Sequence, residues 1–218
     1  MMARSGVLGI LATGAILALA GCGRRSIQRY KMTVEVGTSD TMRSGFAVRE
    51  IITREPLPIP MLGEDRGSVS ARGEAVAVDL PDGRTLFALL KGANGSVDYA
   101  GRDMKAIFRQ LGDDRVGQVI ELWPAMPRTH SPDIGNPLPL LVVFRDIADP
   151  TTVDAVDPKA VGITRITVER TKEPISTGIV LKLPWLKRIN GNYLSGKFAN
   201  DGSLLGLYGT LFSTEIGK

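Results

Sequence analysis

Lys31-Met32-Thr33-Val34-Glu35-Val36 alternates polar and apolar with a period of two, which places Met32, Val34 and Val36 on one face of a half-buried strand. Turn residues Gly37-Thr38-Ser39-Asp40 follow, and Gly45 to Thr53 resumes β-type composition with Phe46, Val48, Ile51 and Ile52, so the pair reads as a hairpin. Pro56, Pro58 and Pro60 lack the backbone donor a ladder needs, which makes 56–67 an edge or looping excursion. Gly73–Leu80 and Arg84–Leu90, joined by Pro81-Asp82-Gly83, give the clearest hairpin in the chain. Leu86-Phe87-Ala88-Leu89-Leu90 is apolar on both parities, so both faces of that strand are expected to be covered.

The period then changes. Met104, Ile107, Phe108 and Leu111 recur at helical spacing with Arg102, Lys105 and Arg109 opposite, which predicts an amphipathic helix over 99–111 with Asp98 as its cap and Gly112 past its end. Val116, Val119, Ile120 and Trp123 allow a second short helix or a strand before Pro124. The prolines at 124, 127, 132, 137 and 139 predict a semi-rigid surface loop, and Leu140–Phe144 a short buried strand. Ile163–Glu169 and Ile175–Leu183 read as β-type runs. Leu183-Pro184-Trp185-Leu186 can start a short helix packed by Trp185, and the glycine-punctuated tail reads as turns and short extended pieces. There is no repeat of helical-array or propeller length. The expected architecture is α+β and β-rich, a single domain of antiparallel strands with one or two short amphipathic helices.

The N-terminus follows different rules. Arg4 precedes the apolar run Val7–Ala20, and Leu19-Ala20-Gly21-Cys22 closes it. That order of charged, apolar and small residues is a secretory leader. The run is shorter than the roughly 20 residues needed to cross a bilayer as a helix. Leu19-Ala20-Gly21-Cys22 resembles the bacterial lipobox, in which the cysteine thiol receives diacylglycerol and cleavage leaves it as residue one. The chain's one Cys falls at that position. Arg24-Arg25 lies after the apolar run, so it is no twin-arginine signal. The expected division is a signal peptide over 1–21, a lipidated Cys22 with a basic tether over 22–29, and one domain over 30–218. Arg24, Arg25, Arg29 and Lys31 either form a solvated linker or each add about 1 kcal/mol of attraction to an anionic membrane. Gly23, not Asp, follows Cys22; in enterobacterial lipoproteins Asp there favours inner-membrane retention, so either membrane stays open.

Composition removes much familiar chemistry. Lys+Arg 27 against Asp+Glu 23 leaves +4, too small and too evenly spread for nucleic-acid binding by charge. One Cys and one His exclude an internal disulfide, a Cys-rich zinc site and a His-cluster centre. No cofactor or metal is expected. His130, in Thr129-His130-Ser131-Pro132, sits in the proline-rich loop, a poor place to hold a catalytic base. No Gly-x-Ser-x-Gly elbow, Ser-x-x-Lys pair or phosphate loop occurs. Asp146, Asp149, Asp154 and Asp157 form the most suggestive polar cluster. Converging, they would bind a hard cation or act as an acid/base pair; separately, they would shape turns and cap helices. Glu169, Arg170, Lys172 and Glu173 read as a solvated strand edge. Trp123, Trp185, Tyr193 and Tyr208 are core anchors or, alternatively, the walls of a glycan-stacking groove.

Lys31–Val36 with Ser44–Val48, Gly73–Leu80 through Leu86–Leu90, Asp149-Pro150-Thr151-Thr152-Val153 with Val156-Asp157-Pro158, and Leu183-Pro184-Trp185-Leu186 together resemble a family of uncharacterised alphaproteobacterial predicted lipoproteins with no assigned activity. The likeness spans the chain after the leader to about residue 186. It implies an address and no catalytic residues. The expectation is a lipid-anchored protein of the cell envelope facing the periplasm, acting as a non-catalytic binding or structural module for another envelope protein or cell-wall glycan. The alternative is a periplasmic carboxylate-dependent hydrolase, with cell-wall glycan as a substrate.

Overall fold

The computed structural model describes residues 24–37, 41–55, 67–111, 115–124, 136–189, 191–197 and 203–216. Strands β1 (Arg25–Val36), β2 (Arg43–Arg54), β3 (Ser68–Arg72), β6 (Val119–Trp123) and β9 (Ile163–Arg170) form one antiparallel sheet in the order β3-β2-β1-β9-β6. A second sheet runs β4-β5-β7-β8, from β4 (Val76–Asp79), β5 (Thr85–Gly92), β7 (Pro139–Phe144) and β8 (Val153–Ala155). Helix α1 (Met104–Leu111) follows a wide turn at Tyr99–Asp103, and α2 (Ile179–Lys182) and α3 (Trp185–Ile189) lie toward the C-terminus. The chain is a single β-rich α+β domain of antiparallel strands, as its patterning predicts.

Two cores explain the layering. Met32, Val34 and Val36 of β1 face Val76, Val78, Leu86, Ala88, Leu141 and Val143 across the gap between the sheets. Met104, Ile107 and Phe108 of α1 plug this first core, and the Phe108 ring stands 5.7 Å from that of Tyr30. The opposite face of the second sheet carries Phe87, Leu89, Val142 and Phe144, which pack on Ile179, Leu183, Trp185 and Phe212 from the C-terminal segment. Leu86 and Ala88 thus serve one core while Phe87 and Leu89 serve the other, which is why β5 is apolar on both parities.

Both hairpins form. β1 pairs with β2 from Arg25↔Arg54 to Val36↔Arg43, and β4 with β5 through a turn whose Gly83 adopts φ 85°. The sheets pass close together at Gly45, where any Cβ would run into the Ala77 carbonyl.

Five expectations change. β1 begins at Arg25, so residues 25–29 belong to the strand and not to a tether. The helix forms regularly only over Met104–Leu111; the preceding turn is wider, and Asp98 makes no side-chain cap bond to it. Val119–Trp123 is a strand because it completes the sheet beside β9, and tertiary pairing outweighs a four-residue helical spacing. The run Ile175–Leu183 makes no strand: Ser176 bonds the Val48 backbone, and the chain then turns into α2. β9 is interior, between β1 and β6, so its charged run is not an edge: Glu169 and Glu173 hold Lys31 at 3.1 and 2.8 Å, and Arg170 lies 4.7 Å from the Phe108 ring. The proline excursion at 56–66 and most of the proline-rich loop lie outside the described residues.

Candidate functional site

The four aspartates do not converge on one site. Asp146 Oδ1 accepts from Ala148 N at 2.9 Å, Asp149 Oδ1 from Thr151 N at 2.9 Å and its hydroxyl at 2.7 Å, and Asp157 Oδ1 from Lys159 N at 2.8 Å. Asp154 pairs with Arg145 at 3.1 Å. Three of the four therefore close local turns, the geometry short acidic side chains favour next to proline and threonine. The bonds from Thr151 hold the Asp149 carboxyl below its ordinary range. Asp146 lines a cleft of ≈ 290 Å³ with Arg84 and Arg145, and no second carboxylate lines it. Among the described residues no three His, Cys, Asp or Glu side chains group as metal ligands. The hydrolase alternative needed convergent carboxylates, and at these positions the side chains build turns instead.

The four aromatics also part company. Trp185 is buried in the second core with its indole N–H donating to Ile147 O at 2.9 Å. Trp123 donates to Ile163 O at 3.1 Å from the outermost strand of the first sheet. Tyr193 and Tyr208 stack with ring centroids 4.2 Å apart and share a hydroxyl–hydroxyl bond. They form no common groove with the tryptophans. Cys22 and His130 lie outside the described residues.

Two features were not legible in the sequence. The first is a polar knot inside the first core. Arg49 is fully buried and donates from Nε to Glu74 O at 3.0 Å and from Nη2 to Ala88 O at 2.8 Å, tying β2 to the second sheet. Beside it, Tyr30 donates to Ala100 O at 3.0 Å and Tyr99 to Pro137 O at 2.9 Å. Burial lifts both phenols above their ordinary range, with the Arg49 charge opposing the shift. Every oxygen and nitrogen named here that bonds serves to join elements, so the knot reads as a structural cross-brace.

The second is the end of the first sheet nearest Cys22. On its outer face Arg72, Glu50 and Arg29 form a closed row, with Glu50 reached by Arg29 at 3.0 Å and by Arg72 at 3.7 Å, and Arg72 also forked onto Glu215. Four residues further out the register places Arg25 directly opposite Arg54 and Arg54 opposite Ser68. Arg24, Arg25 and Arg54 are exposed and have no ion-pair partner among the described residues. A groove of ≈ 410 Å³ opens here, lined among others by Arg54, Ser68, Arg102 and Lys105. Arg29 and Lys31, for which the sequence allows either a solvated linker or attraction to a membrane, are instead committed to Glu50 and to Glu169 and Glu173. Their places are taken by Arg54, Arg102 and Lys105, which only the hairpin register and the docking of α1 bring near the N-terminus.

No protein-family model matches the chain, and no curated protein or solved structure is similar to it. Its chemistry is therefore read from its own residues.

Proposed function

We propose that this chain is a lipid-anchored bacterial envelope protein whose β-rich body is a non-catalytic binding or structural module displayed on the periplasmic side of a membrane. The observation that carries this reading is the junction between leader and body. Cys22, the one cysteine, ends a secretory-type apolar run, and β1 starts at Arg25. Three extended residues reach about 10 Å, so an acylated Cys22 would hold the body directly at the bilayer. Each buried methylene contributes about 0.8 kcal/mol, so the two or three chains of a bacterial lipoprotein anchor almost permanently. The turn-forming roles of Asp146, Asp149 and Asp157 support the non-catalytic half of the reading.

Replacing the thiol tests the anchor. Cys22→Ser is expected to abolish palmitate labelling in cells and to shift the protein out of the detergent-extracted membrane fraction. Unchanged labelling and fractionation would overturn it.

A further inference from the structure

We infer that the Cys22-proximal end of the first sheet is a dock for anionic phospholipid headgroups, holding the body flat against the bilayer instead of letting it swing on its anchor; this rests on the anchored reading above.

Three observations converge. First, Arg25 and Arg54 stand directly opposite each other on one face, and like charges so placed destabilise a strand pair unless something neutralises them. The next charged row inward shows the contrast, because Glu50 satisfies Arg29 and Arg72 there. Second, the adjoining groove brings Arg54, Arg102 and Lys105 together beside the Ser68 strand start, with a volume of ≈ 410 Å³ that suits a phosphoglycerol headgroup. Guanidinium groups match phosphate oxygens in a fork, and an ammonium adds a point charge. Glu55 lines the same groove, so its three cations face one carboxylate there, and Asp98 reaches Arg102 at 3.4 Å, an exposed pairing of little strength. Third, Ile27, exposed at 48%, is the next same-face residue of β1 after Arg25, where it can enter the headgroup layer.

The occupant is named by the tether. A body held within about 10 Å of a bilayer meets that bilayer's own headgroups at far higher local concentration than any free phosphate.

The test uses the chain from residue 22 onward carrying Cys22→Ser, which retains every described element and bears no lipid. It is mixed with vesicles of phosphatidylcholine alone or with phosphatidylglycerol added. Sedimentation with the phosphatidylglycerol vesicles only, weakening as salt rises, is expected. Replacing Arg54, Arg102 and Lys105 together by Gln is expected to lower that binding by roughly a hundredfold, at about 1 kcal/mol per basic residue. The same loss of charge at the opposite end, with Arg84, Arg145 and Lys159 changed to Gln, is expected to leave binding within about threefold. Arg54→Gln alone is expected to weaken binding while raising the melting temperature of the lipid-free chain, an outcome no purely structural role for Arg54 produces. Absence of binding to phosphatidylglycerol vesicles, equal losses in the two triple variants, or a lowered melting temperature for Arg54→Gln would overturn the dock. None of these outcomes touches Cys22, whose acylation is read separately by palmitate labelling.

Discussion

Glu74 shows how much one side chain can join. Its carbonyl accepts from Arg49, and its carboxylate Oε2 accepts from Ile179 N at 2.9 Å, at the start of α2. Only 8% exposed, the carboxyl is pushed above its ordinary value of 4.5, chiefly by burial, while the amides of Ile179 and Gly178 and the Arg49 charge pull the other way. The folded state therefore binds this proton more tightly than the unfolded chain. The stabilising contribution of protonation is complete below the unfolded value and lost as pH rises through the folded one. Glu74→Gln, which keeps an acceptor and removes the titration, is expected to gain melting temperature relative to the parent as pH rises from acid to neutral. Parallel pH profiles for the two proteins would contradict that assignment. None of this could be read from the chain, since Arg49 and Glu74 are ordinary charged residues in sequence. Their burial arises only when β2 is laid across the second sheet.

At the scale of elements, local signals and long-range pairing divide cleanly. The β1–β2 and β4–β5 hairpins were legible because alternation and turn residues are local, and α1 was legible because its apolar stripe recurs over two turns. Strands β3 and β8 escaped notice, being 5 and 3 residues long with partners fixed elsewhere. β6 was ambiguous because Val119, Ile120 and Trp123 fit either period, and pairing with β9 decided it. The Asp146–Asp157 stretch admits turns or a site in sequence, and in the structure Asp146, Asp149 and Asp157 each accept a bond from a backbone amide two residues on. Gly45 carries an exacting element-level demand, since β2 passes there against β4 with no space for a side chain. Gly45→Val is expected to destabilise the fold by about 2 kcal/mol, the scale of overpacking in a closed interface, read as a lower urea midpoint. An unchanged midpoint would mean the two sheets can part at this point without cost.

For the molecule as a whole, the layers give direction. The first sheet has one end where β1 begins, rich in arginine and closed by α1, and another from which Arg43 and the approach to β9 project. On the anchored reading proposed above, the end where β1 begins is the membrane side and the other the solvent side. The basic end was only partly legible: Arg24 and Arg25 stood out in sequence, whereas Arg54, Arg102 and Lys105 needed the hairpin register and the packing of α1 to reach them. The account turns on whether the thiol at position 22 is acylated. Intact-mass analysis of the protein extracted from native membranes tests this most directly. The account predicts a polypeptide beginning at Cys22 and heavier by a diacylglycerol thioether. A chain still carrying residues 1–21, or one whose Cys22 is a free thiol, would contradict it.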